Sequence, residues 1–250
     1  GSLLPGESPN DTAMVLTVNN AGLKPQQASN WDGTLEYYFE PVGSLTFGWF
    51  HKTISDYIVA GLDRGIIADG ADNGYEGQYV GYIERTSMNA GTVYVQGWEF
   101  AYNQQFTFLP GIWKGLGAFA NATWMNARGT YGAGSAISLA PNPRIAGFNP
   151  FIANTGISYI RSKVNLRASF SYRHRYLSSF NANESRAVYF ARRPVLDLKL
   201  LYNLSRAYSL YLDVNNVLSQ PDRETQFGYG RPQTTHQMRP QFMFGLNGRL

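Results

Sequence analysis

The chain has 250 residues, no cysteine, three histidines and a formal net charge of +4. Without cysteine there is no disulfide framework, thiolate chemistry or cysteine-zinc site, and a charge this small, with no basic tract interleaved with aromatics, argues against nucleic acid as a partner. Charged residues make up only 15% of the chain, against a usual ~25% in soluble proteins, and no apolar window reaches the ~18 residues of a helical membrane span.

Residues 1–27 read mostly as loop, with a short apolar run at Met14–Val18 that has the character of a strand edge. The first clear strand is Trp31–Phe39, where Trp31, Leu35, Tyr37 and Phe39 alternate with Asp32, Thr34, Glu36 and Tyr38. Glu40-Pro41-Val42-Gly43 turns the chain, proline presetting one backbone angle and glycine freeing another. A second strand runs from Ser44 to about Ile58, with Leu45, Phe47 and Trp49 on one face. Residues 60–91 are rich in Gly and Asp, show no sustained period and read as a long loop. Thr92–Phe108 sets Tyr94, Trp98, Phe100 and Tyr102 against Val95, Gly97, Glu99, Ala101 and Asn103. After Leu109-Pro110-Gly111, Gly115–Asn126 returns, with Phe119, Asn121 and Thr123 opposite Ala118, Ala120 and Trp124.

A second long loop, 127–149, precedes the hairpin of Phe151–Ile160 and Val164–Tyr176. In the latter, Val164, Leu166, Ala168, Phe170 and Tyr172 share a face, while Asn165, Arg167, Ser169, Ser171, Arg173 and Arg175 share the other. Successive strand residues point to opposite sides, so this stretch is apolar outside and cationic inside. Thirteen residues exceed the ~5–6 of an ordinary strand and meet the ~9–11 that a tilted membrane-spanning strand requires. A third long loop covers 177–193. Val195–Tyr202 places Asp197 and Lys199 inside, Tyr208–Leu218 opposes Leu210, Leu212 and Val214 to Tyr211, Asp213 and Asn215, and a fourth long loop runs 219–239. Gln241–Leu250 closes the chain with Phe242, Phe244, Leu246, Gly248 and Leu250 on one face.

These strands predict an all-β fold, a transmembrane antiparallel up-and-down barrel segment. The connections alternate, short near residues 40, 110, 162 and 205 and long near 75, 138, 185 and 229. Outer-membrane barrels sort their connections this way, with short periplasmic turns and long extracellular loops. The expected orientation therefore puts the C-terminus in the periplasm. Trp31, Trp49, Trp98 and Trp124 read as an interfacial aromatic girdle. An odd count of nine spanning strands, where single-chain bacterial barrels have an even number, predicts further strands upstream. The competing expectation is a small self-contained pore or adhesin barrel, with Met14–Val18 as a tenth strand.

Several motifs carry a resemblance. Asn20-Ala21-Gly22-Leu23-Lys24-Pro25-Gln26, with Asn30-Trp31-Asp32 and Leu35-Glu36-Tyr37-Tyr38-Phe39, is similar to the "NP-x-LKPE…GLEYYF" segment of TonB-dependent receptors. Ala21 stands in place of the usual proline, and Gln26 in place of glutamate. Gly97-Trp98-Glu99 with Phe108-Leu109-Pro110-Gly111 resembles their "G-[FW]-E…FLPG" strand and turn, and Val214-Asn215-Asn216-Val217-Leu218 their penultimate strand. The alternating C-terminus resembles the barrel-assembly signal, with Leu250 where phenylalanine is usual. The resemblance implies about 9–10 strands of a 22-stranded barrel. It makes residues 28–250 the C-terminal part of that barrel without the plug domain, and residues 1–27 an outer loop or strand remnant. It further implies a Gram-negative outer-membrane location and energised uptake of a scarce nutrient of the siderophore, cobalamin or oligosaccharide class. The implied partners are outer-membrane lipid, the N-terminal plug and remaining strands, and the TonB complex reached through the plug.

No catalytic constellation, cofactor motif or metal-ligand spacing is present, so the expected function is not enzymatic. His51, His174 and His236 are scattered, and Asp69-Gly70-Ala71-Asp72-Asn73-Gly74 lacks the spacing and terminal glutamate of a calcium loop. The candidate ligand-binding residues are Arg167, Arg173, Arg175 and Glu99 on the inner face and Tyr79, Tyr82 and Tyr229 in the outer loops. The arginines have two readings: an anion-attracting rung, or partners for acidic residues of neighbouring strands or a plug.

Overall fold

The computed structural model describes residues 7–89, 91–129, 145–179, 186–226 and 231–248. In chain order the strands are β1 (Ser8–Asn10), β2 (Val15–Thr17), β3 (Gln27–Phe39), β4 (Gly43–Ser55), β5 (Ile58–Ile66), β6 (Ile83–Asn89), β7 (Val93–Gln105), β8 (Leu116–Gly129) and β9 (Phe151–Arg161). There follow β10 (Val164–Arg173), β11 (Tyr176–Ser179), β12 (Val188–Phe190), β13 (Arg193–Asn203), β14 (Tyr208–Asn215), β15 (Asp222–Gln226), β16 (Arg231–His236) and β17 (Gln241–Gly248). One 3-10 turn, Gly111–Gly115, leads into β8. No helix among the described residues is long and apolar enough to cross a membrane.

The nine strands expected from period-two alternation form one sheet in the order β17-β14-β13-β10-β9-β8-β7-β4-β3. Their registers explain the two faces. Ile157, Ala168, Leu198, Val214 and Phe242 lie in one row, and Tyr159, Leu166, Leu200, Leu212 and Phe244 in the next. Phe244 is 83% exposed and Leu35 of β3 72%, so none of the described residues covers this apolar face. The opposite face carries the row Ser158, Arg167, Lys199 and Asp213. The spanning strands are connected by 40–42, 106–115, 162–163 and 204–207 at one end, and by 56–92, 130–150, 174–192 and 216–240 at the other.

Three of the long connections are not bare loops, and most of the fourth, the loop expected over 127–149, lies outside the described residues. Segment 60–91 supplies most of β5 and all of β6, which join β1 and β2 in a sheet of order β1-β2-β6-β5. Register shifts between Val59 and Leu62 and between Asp63 and Gly65 break the alternation of β5, which hides it from a period-two reading. The segments 177–193 and 219–239 contribute β12, β15, β16 and most of β11, a second sheet of order β11-β12-β15-β16. The strand expected to reach Tyr176 ends instead at Arg173. Beyond it the His174 amide donates to the Phe151 carbonyl (2.9 Å) and Asn149 Nδ2 donates to the His174 carbonyl (3.2 Å), which diverts the backbone into β11.

By contacts the chain divides into two units. The first comprises Gly1–Asn30, Lys52–Tyr94 and Arg128–Arg144, and its core is formed by Val15, Leu16, Leu62, Ile67 and Val93. The motif segment is tied down within it. Asn20 accepts from the Gly22 amide (2.9 Å) and donates to the Ser87 carbonyl (3.0 Å), while Asn89 accepts from the Lys24 amide (2.8 Å) and donates to the Lys24 carbonyl (2.9 Å). The second unit comprises Trp31–His51, Val95–Ala127 and Ile145–Leu250, and buries Ile145, Leu177, Ala187 and Thr225 beside its small sheet.

Candidate functional site

The polar face of β10 and the small sheet of the second unit assemble a cationic group. Register places Arg173, the last residue of β10, directly opposite Arg193, the first of β13. Like charges so paired across two strands repel, and each needs an outlet. Arg173 Nη2 reaches Asp222 Oδ1 at 2.7 Å, both side chains about a quarter exposed. Its guanidinium also lies over the rings of Phe190 (5.0 Å) and Tyr176 (5.6 Å). Arg193 has a softer outlet, the sulfur of Met238 at 3.1 Å. The Nε atoms of Arg173 and Arg193 are buried and donate to no group among the described residues. Arg175, past the end of β10, packs its guanidinium over Tyr189 at 3.8 Å.

Arg173 and Arg193 therefore meet beside Tyr176 and Phe190 with Asp222 as counter-charge. Tyr189, next to Phe190 in β12, points to the other side of the small sheet and carries Arg175 apart from them. A donor-rich cluster of this kind suits a planar or multiply charged anion, because guanidinium forks bind oxyanions in pairs.

Arg167 belongs elsewhere. Six residues from Arg173 along the same strand, it stands about 20 Å away. Its guanidinium covers Phe119 at 4.5 Å, and its Nε donates to Ser169 at 3.2 Å. Beside it Lys199 pairs with Asp213 at 3.5 Å. These residues line a hollow of about 720 Å³ on the inner face, together with Asn103, Gln105 and Tyr211. Glu99 lies on the same face, against Gly48 of β4.

Tyr79 and Tyr82 belong to the first unit, where Tyr75, Tyr79 and Tyr82 form an edge-to-face stack with centroids 6.0 and 5.5 Å apart. Asn73 organises their loop. Its side-chain oxygen accepts from the Tyr75 and Gly77 amides (2.9 and 3.0 Å), and its nitrogen donates to the carbonyls of Gln78 (2.9 Å) and Ala68 (3.2 Å). Tyr82 donates to Asp11 at 2.9 Å. That bond raises the pKa of its hydroxyl, while burial is the main cause of the rise at Tyr75. Tyr229 lies outside the described residues.

Sequence reasoning placed Arg173 and Arg175 on one face but missed Arg193 and Asp222. The Arg192-Arg193 pair ahead of an alternating run was a visible signal; its partnership with Arg173 depends on the hairpin register. Also missed was Asn216, 7% exposed, whose amide donates to Asp197 (2.8 Å) and whose side chain bridges the Gln220 and Met238 carbonyls (3.1 and 2.9 Å). This geometry accounts for an asparagine in the Val214–Leu218 motif: it fixes the departure of the chain from β14.

A long-stranded antiparallel sheet with an uncovered apolar face, a charged inner face and every long connection at one end is the wall of a transmembrane β-barrel. A family model described as "TonB dependent receptor-like, beta-barrel" matches residues 3–217. The chain belongs to this family of outer-membrane receptors.

A search of curated protein sequences found no match. Among solved structures, a mutant of the ferric enterobactin receptor from Pseudomonas aeruginosa, in complex with enterobactin, is similar at 16% identity and a TM-score of 0.65; the match covers 94% of this chain and 34% of that one. The FrpB iron transporter from Neisseria meningitidis is similar at 14% identity and a TM-score of 0.61, over 94% and 33% of the two chains. The ferric-catecholate import receptor Fiu of E. coli K12 matches at 16% identity and a TM-score of 0.61, over 92% and 28%. The chain thus spans about a third of the length of these receptors, and the likeness is one of fold.

Proposed function

We propose that this chain forms wall and outer vestibule of an outer-membrane receptor that imports an anionic ferric siderophore, driven through the TonB complex by way of a plug domain. The observation that carries the reading is the meeting of Arg173 and Arg193 across β10 and β13, with the Arg173 guanidinium over Phe190 and Tyr176 and paired to Asp222, and with Arg175 nearby over Tyr189. The ferric siderophore cargoes in the names of the similar structures favour the same class. In this reading the long connections face outward, the C-terminus is periplasmic, and Tyr79 and Tyr82 offer a second, aromatic contact. Arg167, Lys199 and Asp213 line the inner wall where a plug would lie, and Glu99 stands on that wall too.

The test is uptake of radiolabelled iron by cells that depend on the full-length receptor, supplied with catecholate, hydroxamate or citrate complexes. Arg173→Gln with Arg193→Gln is expected to lower uptake of the anionic complexes at least about tenfold while leaving the receptor's surface amount unchanged. Uptake of every anionic complex at the parental rate would overturn the proposal, and cobalamin or maltodextrin transport in their place would assign a different substrate class.

A further inference from the structure

The apolar face of the main sheet is not uniform. Around Ala168 it holds a hollow of about 410 Å³, walled by Ile157, Tyr159, Leu166, Leu198, Leu212 and Val214. Alanine stands in a row with Ile157, Leu198 and Val214, so the hollow follows from one short side chain among branched ones. It lies in the half of the face nearer the short connections: its lower row, Tyr159-Leu166-Leu200-Leu212, is one same-face step from Arg161-Val164-Tyr202-Leu210. That step is about 7 Å.

The rim just past the hollow is basic. Arg161 follows Ile157 and Tyr159 on the apolar face, and its Nη1 donates to the Gly111 carbonyl of the 3-10 turn that holds Lys114. Lys163 and Arg206 occupy the next two short connections, and Lys114, Arg161, Lys163 and Arg206 are all exposed. Among the described residues of these connections the one carboxylate is Glu40, which sits at the turn between β3 and β4, away from the hollow in the strand order. Trp113, Tyr202 and Tyr208 add exposed aromatic rings at the same level, as expected where a protein crosses a membrane–water interface.

We infer that this surface binds one anionic phospholipid, with an acyl chain in the hollow at Ala168 and the phosphate against the cations of the short connections. A neutral apolar hollow would accept any chain. The four cations without a local carboxylate select the headgroup, since each basic group near a membrane surface favours an anionic lipid. The inference rests on the short connections facing the periplasm, hence on a lipid of the inner leaflet, and is independent of what the receptor imports.

Native mass spectrometry of the full-length receptor in neutral detergent tests it, with phosphatidylglycerol and phosphatidylethanolamine of identical acyl chains as probes. Phosphatidylglycerol is expected to be retained preferentially. The triple variant K114Q/K163Q/R206Q, which leaves Arg161 and its contact intact, should abolish the preference, with roughly fivefold weaker retention for each basic residue removed. Ala168→Phe should fill the hollow and reduce retention of both lipids. Equal retention of the two lipids by the parental protein, or a preference untouched by the triple variant, would overturn the inference. A heat-dependent gel shift confirms that each variant is folded. Iron uptake by the triple variant keeps this test separate from the cargo proposal, because none of its three residues belongs to the arginine cluster.

Discussion

At the scale of single residues, asparagines hold the segments outside the nine-stranded sheet and arginines give them chemistry. Asn20, Asn73, Asn89, Asn149 and Asn216 each bond to backbone groups that no sheet satisfies. The amide suits this task because it carries a donor and an acceptor on one short, uncharged side chain. Asn73 shows the consequence most clearly, since its four hydrogen bonds replace a regular ladder across residues 68–78. Asn73→Ala is expected to cost the loop about 1–3 kcal/mol of local stability. Hydrogen exchange should show the Tyr75 and Gly77 amides losing protection while the β8 and β9 amides keep theirs. Composition marks the asparagines as turn formers, yet their partners lie up to 67 residues away, as for Asn20 and Ser87, and no local pattern encodes that distance. The same holds for Arg173 and Arg193.

At the scale of elements, the spanning strands are legible because one side of each meets an apolar medium and the other a polar one. Period two then persists over 8 to 14 residues. A second device appears only in three dimensions. Phe119 lies across Gly156 of β9, and Tyr211 across Gly245 of β17, each pair being direct register partners. A Cβ at Gly156 would stand 2.4 Å from the Ala168 carbonyl oxygen and 2.5 Å from the Phe119 ring. The glycine lets the ring lie flat on the inner wall, where Arg167 then covers it. Gly156→Val is therefore expected to displace Phe119, with a cost of about 1–3 kcal/mol from overpacking. The full-length variant should lose its heat-dependent gel shift at a lower temperature than the parent, and Phe119→Ala in the same chain should restore part of the difference. The short strands of the long connections escaped the sequence reading for a related reason. Three-residue strands such as β1, β2 and β12 are too brief to show a period, and β5 is interrupted by bulges.

At the scale of the whole molecule, sidedness connects the proposals. If the long connections face outward, a single cysteine at Asp72→Cys should react with a membrane-impermeant maleimide on intact cells, and one at Arg206→Cys only after the outer membrane is opened. The reverse pattern would invert the sheet and move both the arginine cluster and the basic rim to the opposite sides of the membrane. The chain itself contributes no cysteine to confuse the labelling.

By itself, the sequence determined the nine spanning strands, their inner and outer faces and the family, because alternation and turn chemistry are local properties that solvent on either side reads strand by strand. Tertiary structure alone decided which charges meet. The pairing of Arg173 with Arg193 and Asp222, the separation of Arg167 from them, and the hollow at Ala168 all depend on register between strands and on sheets built from distant segments. Register is set by the summed packing of whole strands and turns, so the positions it brings together carry no mark of their own in the chain.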